Sequence, residues 1–154
     1  MFRDIIKLMK GGTLMEMPVQ AQLIKKIYDN SYGDLKSKYD LTMNEIMFLL
    51  YLDKNQNKNI ASEIVEELMT TKSHISKSVD SLSRKKIIVR IQDDTDRKIM
   101  RLYINTTADI ILKELKEREK QIRKNITKGI STEDLNTFNK VLEQMKENFN
   151  KMAF

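Results

Sequence analysis

The sequence predicts a mainly α-helical protein with one small antiparallel β-hairpin. The 154 residues include only four glycines and one proline, too few for the many turns of an all-β protein. Apolar residues recur at helical spacing along most of the chain and alternate with a period of two only between residues 87 and 104. The length is typical of a single domain with one hydrophobic core.

The composition also excludes several classes of protein. No apolar run approaches the roughly 20 residues that a membrane-spanning helix needs. The absence of cysteine rules out disulfides, iron–sulfur ligation and a thiol nucleophile, and a single histidine rules out a His-rich metal site. Since a glycine-rich phosphate loop is absent as well, we predict a protein that is not an enzyme, needs no cofactor or metal, and works in the reducing cytoplasm away from membranes.

Two helices are predicted before residue 33. Apolar residues in Met1–Gly12 indicate a short helix that the terminal glycine pair ends. Pro18 stands where a first-turn proline is tolerated, and an apolar stripe begins at Val19. These features predict a second helix that ends at about Ser31, before Gly33.

Three shorter helices follow in the sequence. A Thr-x-x-Glu capping box that starts at Thr42 predicts a helix over Met43–Leu52. The next helix is predicted over Ser62–Leu68 and is followed by a turn. Thr71 is a good N-cap for the third helix, Lys72–Arg84.

The helix over Lys72–Arg84 has two unlike faces. Ile75, Val79 and Leu82 share one face, which predicts that this side packs on the core. The opposite face carries short polar and charged side chains and is predicted to be exposed. Its residues are Ser73, His74, Ser76, Lys77, Asp80 and Arg84.

The period then changes from 3.6 to 2, which indicates two antiparallel strands over residues 87–92 and 99–104. The six residues between them, Asp93–Lys98, are all polar and predict a hairpin loop too charged to pack on a core. Asp96 has two interpretations: its carboxylate orients Arg97 through a charge-assisted hydrogen bond, or it is a solvated turn acid.

The net charge of +6 is concentrated around these elements. From Thr70 to Ile104 nine basic and four acidic residues give +5, whereas the remaining residues together carry +1. A polyanion-binding surface requires such a local excess, because each neutralised phosphate releases condensed counterions. The alternative is a solvated basic face that binds nothing.

Two long helices are predicted at the C-terminal end. Asn105 caps the first, which extends to about Lys128 and ends at Gly129. Ser131 or Thr132 starts the last helix, in which apolar residues recur with a 3.5-residue period. These residues are Leu135, Phe138, Leu142, Met145, Phe149 and Met152. The period predicts a dimerisation seam, although the apolar stripe near the N-terminus could cover it within one chain.

The order of helix, turn, helix and hairpin with a charged loop is that of a winged helix-turn-helix. In that fold the second helix enters a major groove of DNA, and the hairpin, or wing, reaches the adjacent minor groove. A guanidinium suits the narrow minor groove because it is less tightly hydrated than an ammonium, which favours Arg97. The residues predicted to contact double-stranded DNA are Thr71, Lys72, Ser73, His74, Ser76, Lys77, Arg97 and Lys98.

The residues Leu82–Arg90, Asp96–Lys98 and Ile104-Asn105 also resemble, without gaps, the MarR family of bacterial transcription regulators. They fall where that family has a helix-ending Leu, a glycine turn, the first wing strand, an Asp-x-Arg in the wing and a Leu-Thr before the dimerisation helix. The resemblance implies a homodimer held by its terminal helices, with two winged lobes on a near-palindromic operator. It also implies an effector pocket between each lobe and the dimer helices.

Three positions depart from the family pattern. Lys98 stands where the wing arginine is usual, so the minor-groove role falls to Lys98 or to its neighbour Arg97. Lys86 replaces a helix-ending glycine and puts a side chain where a left-handed backbone is expected. Asn105 replaces Thr, a swap between two N-capping residues.

Two functions are compatible with this sequence. The first is a homodimeric, sequence-specific DNA-binding transcription regulator, a repressor that a small ligand releases from promoter DNA. The second is an adaptor of the same shape that docks a protein partner and does not bind DNA. In either case we predict one domain over residues 1–154, with the winged lobe at about 40–105 and dimerisation helices at about 1–35 and 106–154.

Overall fold

The structure is a computed structural model that describes residues 25–68 and 70–152, apart from the side chains at positions 146, 149 and 150. Residues 25–31 are helical. The later elements are α1 (Gly33–Tyr39), α2 (Met43–Lys54), α3 (Ala61–Glu67), α4 (Lys72–Arg84), β1 (Ile88–Gln92), β2 (Met100–Ile104), a 3-10 turn (Thr106–Ala108), α5 (Asp109–Ile126) and α6 (Thr132–Met152). The predicted helix over Met1–Gly12 and the predicted start at Pro18 lie outside the described residues. No described helix is long and apolar enough to cross a membrane.

The chain divides into two compact units, one up to Glu119 and one from Lys120 onward. The first contains the helices α1 to α4, the hairpin and the beginning of α5. The second contains the end of α5 and α6. The mainly helical fold with a two-stranded antiparallel hairpin confirms the predicted fold class.

The helix α1 is absent from the sequence prediction, which placed a helix end before Gly33. The predicted helix end at about Ser31 is confirmed, because residues 25–31 are helical and Tyr32 is the N-cap of α1. The amide of Tyr32 donates to the carbonyl of Tyr28 (3.1 Å), and the amide of Lys36 donates to Tyr32 (2.8 Å), so α1 follows after one turn residue. Burial of Tyr32 and Leu35 stabilises α1, since both are at most 5% exposed.

The predicted caps of α2 and α4 are confirmed. The hydroxyl of Thr42 accepts from the amide of Glu45 (3.2 Å), and the carboxylate of Glu45 accepts from the amide of Thr42 (2.6 Å). The hydroxyl of Thr71 accepts from the amide of His74 (3.2 Å). The two helices therefore begin at Met43 and Lys72, as their capping residues dictate.

The core of the first unit is built around α2. Its residues Ile46, Phe48 and Leu49 are at most 1% exposed. The inward face of α4 is buried as predicted, with Ile75, Val79 and Leu82 at most 7% exposed, and α5 contributes the fully buried Leu115. Burial of these apolar faces fixes the rotation of α4 about its axis, which leaves its polar face in solvent.

The hairpin has an antiparallel register that pairs Ile88 with Ile104 and Gln92 with Met100. Ile60, the residue before α3, adds an isolated bridge to the second strand at Arg101. The loop between the strands comprises residues 93–99, one residue more than predicted. The wing is thus attached directly to the segment that leads into the helix-turn-helix.

The turn from α4 into the wing has the left-handed backbone that the sequence predicts at Lys86, with φ 59°. The amide of Ile87 donates to the carbonyl of Leu82 (2.9 Å), and the amide of Lys86 donates to Ser83 (3.0 Å). These two hydrogen bonds define a Schellman motif, which normally carries glycine at the left-handed position.

The second unit follows the predicted helix boundaries closely. Gly129 has φ 80° and stands at the break between α5 and α6. Of the two predicted starts of the last helix, Ser131 is the cap, because its hydroxyl accepts from the amide of Asp134 (3.0 Å). Four of the predicted seam residues are half-buried, namely Leu135, Phe138, Leu142 and Met145. Met152 is 69% exposed, and the side chain of Phe149 lies outside the described residues.

Candidate nucleic-acid interface

The exposed face of α4 carries all the recognition residues that the sequence predicts. The opposite face of α4 is buried against the core, so these polar side chains point into solvent. Three of these six side chains, Thr71, Ser73 and Ser76, are short, which allows the helix backbone to approach base edges closely. The exposed residues are Thr71, Lys72, Ser73, His74, Ser76 and Lys77.

The N-terminus of α4 is suited to bind a phosphate group. The Thr71 hydroxyl accepts a hydrogen bond from the amide of His74. The other amides of the first turn, at Lys72 and Ser73, lie at the N-terminus of α4, which is the positive end of the helix dipole. The hydroxyl of Thr70 lies 3.4 Å from Nδ1 of His74, which orients the imidazole beside this end of the helix. An anion at this position would meet backbone donors and the Lys72 ammonium together.

The structure separates the basic residues of this region into free and neutralised groups. Within residues 25–68 and 70–152, no ion pair engages Lys72, Lys77, Arg97 or Lys98. Three other cations are committed to carboxylates: Lys85 to Glu45 and Asp40, Arg90 to Asp80, and Arg101 to Asp93. Arg84 and Lys86 are exposed and likewise have no ion pair among the described residues. The uncompensated charge therefore lies on the exposed face of α4, at the turn that follows it and at the wing tip, where a polyanion can be bound.

Arg90 connects the wing to the exposed side of α4. Its Nη2 donates to the carboxylate of Asp80 at 2.5 Å, and its Nε donates to the hydroxyl of Ser83 at 3.1 Å. Both partners lie on α4, whereas Arg90 lies in β1. The first wing strand therefore begins in the core at the buried Ile88 and contacts the polar face of α4 through Arg90.

The prediction that the whole loop avoids the core is wrong at one residue, Asp93. This residue is 9% exposed, and its carboxylate accepts from the amide and hydroxyl of Thr95 and from the amide of Asp96. These hydrogen bonds, together with that from Arg101, hold the pKa of the Asp93 carboxyl far below its usual range. The hydrogen bonds offset the desolvation cost that made burial improbable from composition. Residues 94–98 are exposed, as predicted.

Of the two alternatives for Asp96, the structure favours the solvated turn acid, because Asp96 is exposed and no hydrogen bond among the described residues joins its carboxylate to the guanidinium of Arg97. Its carboxylate accepts a hydrogen bond from the backbone amide of Lys98 at 2.9 Å, so it shapes the loop backbone. The carbonyl of Arg97 accepts from the side-chain amide of Gln92 at 2.7 Å. The backbone at the tip is thus fixed while the side chains of Arg97 and Lys98 project into solvent.

A cavity of about 370 Å³ lies behind the wing, where α2, the second strand and the first turn of α5 meet. Its walls include the apolar Leu52, Leu102 and Leu112 and the acidic Asp53 and Asp109. All of these residues belong to the first compact unit. The cavity depends on how three elements converge, so no local sequence pattern could have located it.

Comparison with known proteins identifies the fold and shows local similarity to one family. Residues 39–99 match the model of the MarR family. A curated relative, the uncharacterized HTH-type transcriptional regulator YpoP of Bacillus subtilis (strain 168), is 27% identical over 113 residues, which are 72% of this chain and 79% of the relative.

Similar solved structures include transcription regulators and one protein–DNA complex. The regulator MarR from Oenococcus oeni PSU-1 has a TM-score of 0.70 at 19% identity, covering 85% of this chain and 98% of that one. BldR from Sulfolobus solfataricus has a TM-score of 0.67 at 21% identity, over 85% and 94%. The S. aureus MepR–DNA complex has a TM-score of 0.57 at 22% identity, over 86% and 93%.

Proposed function

We propose that the chain is a transcription regulator of the MarR family and acts as a homodimeric repressor. Its match to the family model over residues 39–99 and its similarity to a curated transcription regulator support this proposal. The protein binds near-palindromic promoter DNA in the cytoplasm and leaves that DNA when a small ligand binds. In this proposal α4 reads the major groove with Ser73, His74 and Ser76, while Lys72 and Lys77 hold phosphates. Arg97, or its neighbour Lys98, enters the minor groove.

One observation carries the proposal. Lys72 and Lys77 on α4, and Arg97 and Lys98 at the wing tip, have no ion-pair partner among the described residues, and both elements are parts of the same compact unit. A solvated basic face would not require this separation from the paired cations. MepR from S. aureus, which has a similar fold, was solved in complex with DNA. This supports the proposal that the surface formed by α4 and the wing binds DNA.

The proposed dimer uses α6 as its principal contact. On this helix the predicted seam residues Leu135, Phe138, Leu142 and Met145 are half-buried, whereas Val141 is 44% exposed. An apolar seam with a 3.5-residue period is completed by a helix that repeats it, and a second copy of the chain provides one. Phe149 and Met152 extend the proposed seam. In the proposed domain organisation the winged lobe at about 40–105 is flanked by dimerisation helices at about 1–35 and 106–154.

The proposed effector site is the cavity bounded by α2, the second wing strand and α5. A ligand that binds there more tightly in one arrangement of the lobe favours that arrangement. Two recognition helices must span successive major grooves about 34 Å apart to bind one operator. A ligand that changes this spacing would therefore weaken DNA binding.

A salt titration of binding to random duplex DNA tests the function. We expect affinity to fall steeply with NaCl, because the free cations displace counterions from phosphates. Arg97→Ala and Lys98→Ala, made separately, should show which residue serves the wing, and unchanged affinity in both would refute the wing contact. Absence of duplex binding by the wild-type protein would favour the adaptor function instead.

A further inference from the structure

We propose that Arg101 and Asp93 are positioning residues that hold the wing loop in one orientation relative to α3, the first helix of the helix-turn-helix. Because the loop is held in this orientation, Arg97 and Lys98 contact DNA at the same time as α4. The inference rests on the proposed function, since it concerns how the wing meets DNA. Neither positioning residue is assigned a contact with DNA.

Asp93 forms hydrogen bonds with both the first turn and the last residue of the wing loop. Its Oδ1 accepts from the amide of Thr95 (2.8 Å), the hydroxyl of Thr95 (2.6 Å) and the amide of Asp96 (3.0 Å). Its own amide donates to the carbonyl of Ile99 (3.0 Å), the last residue of the loop. The two ends of the loop and its first turn therefore depend on one residue, whose side chain is only 7% exposed.

Arg101 joins this closed loop to the helix-turn-helix. Its Nε donates to Oδ2 of Asp93, and its Nη1 donates to Oδ1 of Asn59 at 3.0 Å. Asn59 is 1% exposed, and its carbonyl accepts from the amide of Leu102 at 2.9 Å, beside the bridge between Ile60 and Arg101. Residues 59 and 60 lead directly into α3. The Arg101 guanidinium therefore links the wing loop, through Asp93, to the start of the helix-turn-helix, through Asn59.

This role differs from that of the free cations at the tip. The donors of Arg101 are directed at two buried acceptors, Asp93 and Asn59, and not at solvent. Loss of the guanidinium would leave both acceptors without this partner, so the loop would adopt other orientations. The number of phosphates that the protein neutralises would stay the same, which makes the two roles separable by experiment.

Hydrogen exchange on the free protein tests the positioning without DNA. In Arg101→Gln the amides of Thr95, Asp96 and Leu102 should exchange at least about five-fold faster than in the wild type, while those of α4 keep their protection. Arg101→Lys retains the charge but cannot donate to both acceptors, so it should behave as Arg101→Gln does. Wild-type exchange rates in the wing of both variants would overturn the proposal.

Binding to a duplex that the wild-type protein selects from a random pool tests the consequence. Arg101→Gln should bind this duplex at least about five-fold more weakly, with an unchanged slope of log affinity against log NaCl. Lys72→Ala should instead reduce the slope by about two units, one for each protomer of the proposed dimer. Unchanged affinity in Arg101→Gln, or a slope that falls as in Lys72→Ala, would overturn the positioning role. If the wild-type protein selects no duplex, the proposed function fails, whereas hydrogen exchange still decides whether the loop is held.

Discussion

Replacement of Lys86 by glycine is expected to stabilise the protein. Lys86 has φ 59°, in the left-handed region that L-residues with a side chain disfavour. The conformation is imposed by its surroundings, because the amides of Lys86 and Ile87 complete the Schellman motif and Ile87 is buried. The side chain of Lys86 is exposed, so its removal should leave the turn unchanged.

The expected gain follows from two opposing contributions. A non-glycine residue in the left-handed region costs about 1–2 kcal/mol. Glycine loses more conformational entropy on folding, which costs about 0.5–1 kcal/mol. The free energy of unfolding should therefore rise by about 0.5–1 kcal/mol in Lys86→Gly, equivalent to an increase in the urea midpoint of roughly 0.3–0.5 M for a typical denaturant slope.

Urea unfolding followed by circular dichroism measures this gain. The protein concentration must be equal for all variants, since the stability of a proposed dimer depends on it. Arg84→Gly is the matched control, because Arg84 is the exposed last residue of α4 and glycine there should cost about 1 kcal/mol. A lower midpoint for Lys86→Gly than for the wild type, with the same slope, would refute the account of this turn.

Three further predictions concern the caps, the dimer and acid stability. Thr71→Ala removes the cap of α4 and should lower the free energy of unfolding by about 1 kcal/mol, measured by urea unfolding. Leu142→Glu should give a monomer in sedimentation, whereas Val141→Glu, the same change beside the seam, should stay dimeric; a dimeric Leu142→Glu would contradict the seam. The pKa of Asp34 is lowered from 3.8 to about 2, first by its hydrogen bond with Arg118. The stability that this pair gives is present above pH 4 and is lost as the pH falls through 2, so the destabilisation in Asp34→Asn should disappear over that interval; a pH-independent difference would contradict it.

Local signals predicted much of the fold. The caps at Thr42 and Thr71 and the stop at Gly129 depend on side chains that bond to their own neighbouring backbone, or on a backbone preference, so the sequence alone is sufficient. The helix α1 was missed for the opposite reason. The helix end at about Ser31 was predicted, but no helix was predicted after Gly33. Tertiary packing buries Tyr32 and Leu35 and so stabilises α1, and no local pattern indicates this packing.

The candidate interface was predictable in its position but not in its electrostatics. The polar face of α4 follows from helical periodicity, and Ser73 and His74 are exposed as that periodicity requires. Counting charge could not distinguish Arg101, which is engaged by a buried carboxylate, from Arg97, which is free among the described residues. That distinction depends on contacts across the hairpin and with Asn59, and sequence spacing does not encode these contacts.

The most direct test of the central claim locates α4 and the wing on one duplex. The chain has no cysteine, so Ser76→Cys and Asp94→Cys each provide a single attachment point for a DNA-cleaving reagent. We expect cuts in the major groove from position 76 and in the adjacent minor groove from position 94, repeated in a second half-site about 34 Å away. Cuts from both positions in one groove, or none from position 94 on a duplex that position 76 cuts, would contradict this expectation.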